Sequence, residues 1–218
     1  MMPVDMPPDV PALIQRCAPN VAVQTFRPLL RVESANRPHA IGYKIVATDG
    51  AVYHLATQPR DAAEAKSWAT WFLANGYRFD AGIAQVNTVN FKSTGLTPEN
   101  MFDPCASIRA GAKVLADCYG RAVARFGDEQ AALRAAFSCY QSGNFKTGFA
   151  TGYVSRILSR AGERVDIKAP SGMPPLLREG SRATRQAAGG SAGNLYAVSS
   201  EVPGWSSPAK DSTSEPSE

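Results

Sequence analysis

Apolar positions recur at helical spacing along most of the first 165 residues. Phe26, Leu29 and Leu30 precede Glu33 by seven, four and three positions, so at 3.6 residues per turn all four share one face of a helix. Asn20 is placed to cap that helix, and Pro28 makes an irregularity inside it. The texture changes over 40–58, AIGYKIVATDGAVYHLATQ, where two β-prone runs flank Asp49-Gly50, a pair favoured in tight hairpin turns. Asp61 and Glu64 form a capping box that opens a helix through Trp68, Trp71 and Leu73, and Gly76 is placed to stop it. FDAGIAQVN, 79–87, reads as extended: Gln85 and Asn87 alternate with Ala84 and Val86, which would aim two amides the same way. Asp103 and Pro104 occupy the N-cap and first turn of a helix reaching about Phe126 and ended by Gly127. Asp128 caps the next helix, EQAALRAAFSCY, and a last one contains GYVSRILSRAG. The expected class is α+β, mostly α-helical, with one small β-hairpin and no internal repeat.

Composition changes near residue 165. Residues 1–165 read as one folded domain, whereas 166–218 are rich in Pro, Gly and Ser without a sustained period and read as a disordered tail. Leu195, Tyr196 and Trp205 in that tail suit a docking segment for a partner, or nothing beyond solubility. The net charge of +4 is too mild for a dedicated nucleic-acid binder, and it suits an enzyme that meets anionic cell-wall material. No apolar run is long enough to span a membrane. The first sixteen residues, MMPVDMPPDVPALIQR, do not read as a signal peptide, which leaves a cytoplasmic chain, a signal-less route or a missing leader. The four cysteines have no metal-type spacing. Cys105 and Cys118 stand about 20 Å apart if they share one continuous helix, so they do not bridge each other. Two pairings remain, 17–105 with 118–139 or 17–118 with 105–139, beside a reading as buried free thiols.

The chemistry centres on Glu33. A carboxyl turned to an apolar face loses hydration, its pKa rises, and it stays protonated at neutral pH, ready to protonate a glycosidic oxygen. The alternative is a helix-end glutamate turned to solvent or paired with Arg31 or Arg37. Two other segments bring polar groups suited to sugars: Gln85 and Asn87 in FDAGIAQVN, and Tyr140 and Gln141 in FSCYQSGN.

Taken in order, RVES, GIAQVN, CYQSGN and GYVSRIL resemble the successive motifs of lytic transglycosylases of the soluble, goose-lysozyme-like type. The resemblance is nearest to the subfamily attached to type IV secretion and conjugative transfer, and covers roughly residues 12–160. It implies a lysozyme-like domain in which Glu33 is the single catalytic acid and Ser34 supports its carboxyl. Gln85, Asn87, Tyr140 and Gln141 would contact the glycan, and Tyr153 would approach the acid. Ala84 stands where the family often carries a methionine, which opens space, and Gln141 stands where it carries asparagine. The implied reaction cleaves the bond between N-acetylmuramic acid and N-acetylglucosamine in peptidoglycan and closes a 1,6-anhydro ring. It requires no metal and no organic cofactor. The implied partners are peptidoglycan strands and type IV secretion or conjugation components, and the implied setting is a monomer acting in the periplasm. A hydrolysing lysozyme would want a second carboxylate, for which Asp49 and Asp80 are the candidates. A peptidoglycan-binding assembly factor with little turnover is the non-enzymatic reading.

Overall fold

The computed structural model describes residues 9–162, so the expected tail, with Leu195, Tyr196 and Trp205, lies outside the described residues. In chain order the helices are α1 (Val10–Cys17), α2 (Val23–Ser34), α3 (Ala62–Ala74), α4 (Phe91–Thr94), α5 (Pro104–Phe126), α6 (Glu129–Ser142), α7 (Thr147–Ala150) and α8 (Tyr153–Ala161). The strands are β1 (Ile45–Val46), β2 (Val52–Tyr53), β3 (Asp80–Ala81) and β4 (Val86–Asn87).

The helix starts follow local chemistry. Asp61, Asp103 and Asp128 each accept a backbone N–H three residues on, at 2.8, 2.7 and 2.6 Å, and Pro104 sits in the first turn, where no donor is needed. The capping box at Asp61 closes one residue early, because Glu64 accepts from the amide of Arg60 rather than from that of Asp61. Two starts differ from expectation. α2 begins at Val23 behind Ala22, with no side-chain cap, so Asn20 is not its cap. α1 was not anticipated behind its prolines; Asp9 caps it, Pro11 falls in the first turn, and Val10, Ile14 and Cys17 recur on its buried face.

Where one hairpin was expected there are two antiparallel pairs. β1 meets β2 in the register Ile45↔Tyr53 and Val46↔Val52, around the Asp49-Gly50 turn. β3 meets β4 in the register Asp80↔Asn87 and Ala81↔Val86. Bridges Val46↔Arg78 and Ile41↔Ala81 join the two pairs, so segments 40–46 and 78–88 form one irregular platform. Helix α5 packs against α1 and α6, and α8 lies on α2. Phe26, Leu29 and Leu30 of α2 meet Phe79, Ile83, Ile108, Leu115, Phe137 and Ile157 in one continuous core. Truncating a fully buried phenylalanine such as Phe26 or Phe137 costs about 3–5 kcal/mol.

The cysteines form two disulfides. Cys17–Cys105 ties α1 to the start of α5, and Cys118–Cys139 ties α5 to α6, with Cα separations of 5.3 and 5.8 Å. This selects the first of the two pairings and removes the free-thiol reading. Among the described residues no helix is long and apolar enough to cross a membrane.

Candidate active site

Glu33 stands in the last turn of α2, on the same side as Phe26, Leu29 and Leu30. The chain turns immediately after it, with Ala35 and Asn36 both left-handed, so the acid sits at a helix end against the platform. The residue is half-buried and opens on a groove of about 610 Å³. Loss of hydration dominates its titration: burial pushes the carboxyl pKa up to about 8, Asp80 adds to the rise, and Tyr153 and Arg156 oppose it. Arg31 and Arg37 were the alternative partners; the Arg37 Nε donates to the Ser34 carbonyl instead.

Tyr153, the first residue of α8, is buried at 3% exposure, and its hydroxyl donates to Glu33 Oε1. The proton of the acid is then left to Oε2. Burial lifts the pKa of the Tyr153 phenol well above its ordinary value, so it remains a donor. Ser34, also 3% exposed, donates its Oγ to the Ile83 carbonyl at 2.7 Å and so couples the helix end to the β3–β4 turn. Both hydroxyls are engaged inside the protein.

That turn is fastened from every side. Ala84 N donates to Ser107 Oγ (3.1 Å), and Tyr140 Oη donates to the Ala84 carbonyl (2.6 Å). Gln85 Nε2 donates to the carbonyls of Ala40 (3.0 Å) and Gly82 (2.8 Å). The segment expected to be extended therefore holds strands only at 80–81 and 86–87, with a turn over 82–85 between them. Gln85 adopts φ +49, an uncommon conformation for a non-glycine residue that its two side-chain bonds support, and its amide serves backbone carbonyls whereas that of Asn87 serves Asp80. Gly82, at φ +78, lies so close to the Met101 carbonyl and Ser107 Oγ that a Cβ would fall 2.4 and 2.6 Å from them. Nor does Ala84 open space: it is fully buried, and a Cβ on Gly111 of α5 would lie 2.6 Å from its own.

Gln85, Asn87, Tyr140 and Gln141 all line the groove with Glu33. Asn87 Nδ2 donates to Asp80 Oδ1 (2.7 Å), and Gln141 Oε1 accepts from Thr151 Oγ1 (3.2 Å). Of the two carboxylates considered as hydrolytic partners, Asp80 lines the groove; its pKa is raised by burial and held back by Asn87 and Lys44. Asp49 stays in the exposed hairpin turn and accepts from Ala51 N at 2.9 Å. Residue-by-residue reading missed Ser107, whose signal was a hydroxyl on the apolar face of α5, and the groove cations Lys44 and Arg121, which carry no local signal.

A carboxyl of raised pKa beside a polar groove, on a helical domain with small β-hairpins, is a lysozyme-like arrangement. Residues 12–157 match the family described as Transglycosylase SLT domain, and the chain belongs to that family. It is 41% identical over 174 residues to "Type IV secretion system protein virB1" of Brucella suis biovar 1 (strain 1330), covering 77% of this chain and 68% of that protein. It is 44% identical over 155 residues to the protein of the same name in Brucella abortus biovar 1 (strain 9-941), covering 68% and 62%. With "Protein virB1" of Agrobacterium fabrum (strain C58) the identity is 34% over 151 residues, covering 69% and 58%. The matched stretch is thus only part of each relative's length, under two thirds in the last two. No solved structure matches the chain significantly.

Proposed function

We propose that this chain cleaves the β-1,4 bond between N-acetylmuramic acid and N-acetylglucosamine with Glu33 as the single acid and base. The observation that carries the reading is the half-buried Glu33 carboxyl at the groove wall, bonded by the Tyr153 hydroxyl, with burial raising its pKa to about 8. Oε2 gives its proton to the glycosidic oxygen as the bond breaks, and an oxocarbenium-like centre develops at C1 of the muramoyl sugar. The carboxylate then takes the proton of the C6 hydroxyl, which attacks C1 and closes the 1,6-anhydro ring. No water is consumed. Tyr153 stabilises the transient carboxylate, and the fastened 82–85 turn presents the groove face without reorganising. Gln85, Asn87, Tyr140 and Gln141 form the wall against which the sugar lies.

The relatives' names and the cysteines support the setting we propose. Two disulfides suit an oxidising compartment, which supports action in the periplasm. There the chain opens the wall locally for a type IV secretion or conjugation apparatus, acting as a monomer, with 166–218 as a separate segment. Asp80 in the groove favours a second reading, hydrolysis. Mass spectrometry of fragments released from purified peptidoglycan separates the two: anhydro ends from wild type and none from Glu33→Gln support the proposal, and reducing ends overturn it in favour of hydrolysis.

A further inference from the structure

Arg121 is an exposed cation that leans on a disulfide and an aromatic ring and has no carboxylate partner among the described residues. It projects from α5 into the wall of the same groove as Glu33. Its Nη2 donates to Cys139 Sγ at 2.9 Å and lies 3.5 Å from Cys118 Sγ, and its Cζ lies 5.9 Å from the centre of the Phe145 ring. The disulfide between α5 and α6 makes both sulfur anchors rigid. Sulfur is a weak acceptor, so most of the five guanidinium donors stay unmatched. Among the described residues no carboxylate pairs with it; Asp117, one turn earlier on α5, lies 4.0 Å from Lys113 instead. The other groove cation differs, because the charge of Lys44 acts on Asp80.

Holding a long side chain in one geometry costs rotamer entropy, which contacts to sulfur and to the Phe145 ring offset only in part. The result is an exposed planar fork, oriented by these contacts at the groove wall and free to bind a carboxylate in two-pronged fashion. On a glycan of alternating N-acetylglucosamine and muramic acid, the carboxylates belong to the muramoyl substituent, either its bare lactyl group or the stem peptide attached there. We infer that Arg121 is a specificity-determining residue that binds a carboxylate of the muramoyl substituent, an inference that rests on the function proposed above.

The test compares kcat and KM, read as release of anhydro ends, on three glycans: intact peptide-bearing strands, the same strands with carboxylates amidated by carbodiimide, and strands stripped of peptide by an amidase. Wild type is expected to favour intact over amidated strands by about tenfold, mostly in KM. Arg121→Gln brings that ratio near one, and Arg121→Lys keeps part of it. If stripped strands, whose lactyl carboxylate is free, show the same dependence on Arg121, the residue accepts either carboxylate of the substituent; if only peptide-bearing strands do, the stem peptide alone supplies it, and either result supports the inference. An unchanged ratio in Arg121→Gln overturns it. So does an equal drop in Arg134→Gln, which removes an exposed charge of α6 that is not part of the groove lining. Anhydro ends from wild type alongside either result leave the proposed function standing, whereas their absence overturns that function and this inference together.

Discussion

Glu33→Gln should stabilise the protein, and increasingly so as pH rises. In an unfolded chain a glutamic acid titrates near 4.5, whereas in the folded protein Glu33 titrates near 8. Between those values the folded state holds a proton that the unfolded chain has released. Wild-type stability therefore falls as pH rises from about 4.5 and levels off only above about 8. Glutamine has nearly the same shape, cannot ionise, and keeps an oxygen to accept from Tyr153. Linkage sets a ceiling of about 4 kcal/mol for the extra advantage of the variant at pH 8.5 over pH 5, and water entering the groove cuts this to about 2–4 kcal/mol. The assay is guanidinium unfolding of both proteins at the two pH values, with disulfides intact. The raised titration of Asp80 is common to both proteins and largely cancels. A gap between the two proteins that moves by less than about 0.5 kcal/mol would refute the claim that burial holds the carboxyl protonated.

The other predictions concern the groups that hold the acid and its platform. Tyr153→Phe removes the bond that favours the Glu33 carboxylate, so the acid stays protonated to higher pH; the alkaline limb of kcat/KM should shift upward and the plateau fall about tenfold. Ser34→Ala leaves the buried Ile83 carbonyl without its 2.7 Å donor and should cost about 1–3 kcal/mol in denaturant unfolding. Ala84→Met, although it restores the residue common at that motif position, forces three heavy atoms against Gly111 and Tyr140 and should destabilise by about 1–3 kcal/mol in the same assay. Replacing both Cys118 and Cys139 by serine reopens a link between residues 21 apart in sequence and should cost about 3 kcal/mol; thermal melts unchanged from wild type would contradict it.

Much of the architecture was legible because it is written in local rules. Aspartate caps, a proline in a first turn, Asp49-Gly50 and the stop glycines 76 and 127 act within four residues of where they stand, and each marks an element end. The position of Glu33 on the stripe of Phe26, Leu29 and Leu30 was legible for the same reason, since helical periodicity settles which face a side chain shares. The order of the four motifs pointed to the family, and residues 12–157 bear it out. Within 79–87 extended geometry holds at 80–81 and 86–87 and fails at 82–85, because alternation says nothing of a turn whose conformation is set from 23 to 56 residues away, by Ala40, Ser107 and Tyr140. The cap at Asn20 failed because packing decided where α2 begins, with no side-chain bond at its start. Which cysteines pair depended on how α1, α5 and α6 lie together, and the sequence left two pairings open. The pKa of Glu33 depended on Tyr153, Asp80 and Arg156 converging on one carboxyl. Dihedral preferences and hydrophobic period are properties of neighbouring residues, so the chain alone carries them; desolvation and charge proximity are properties of space, and only the folded molecule has them.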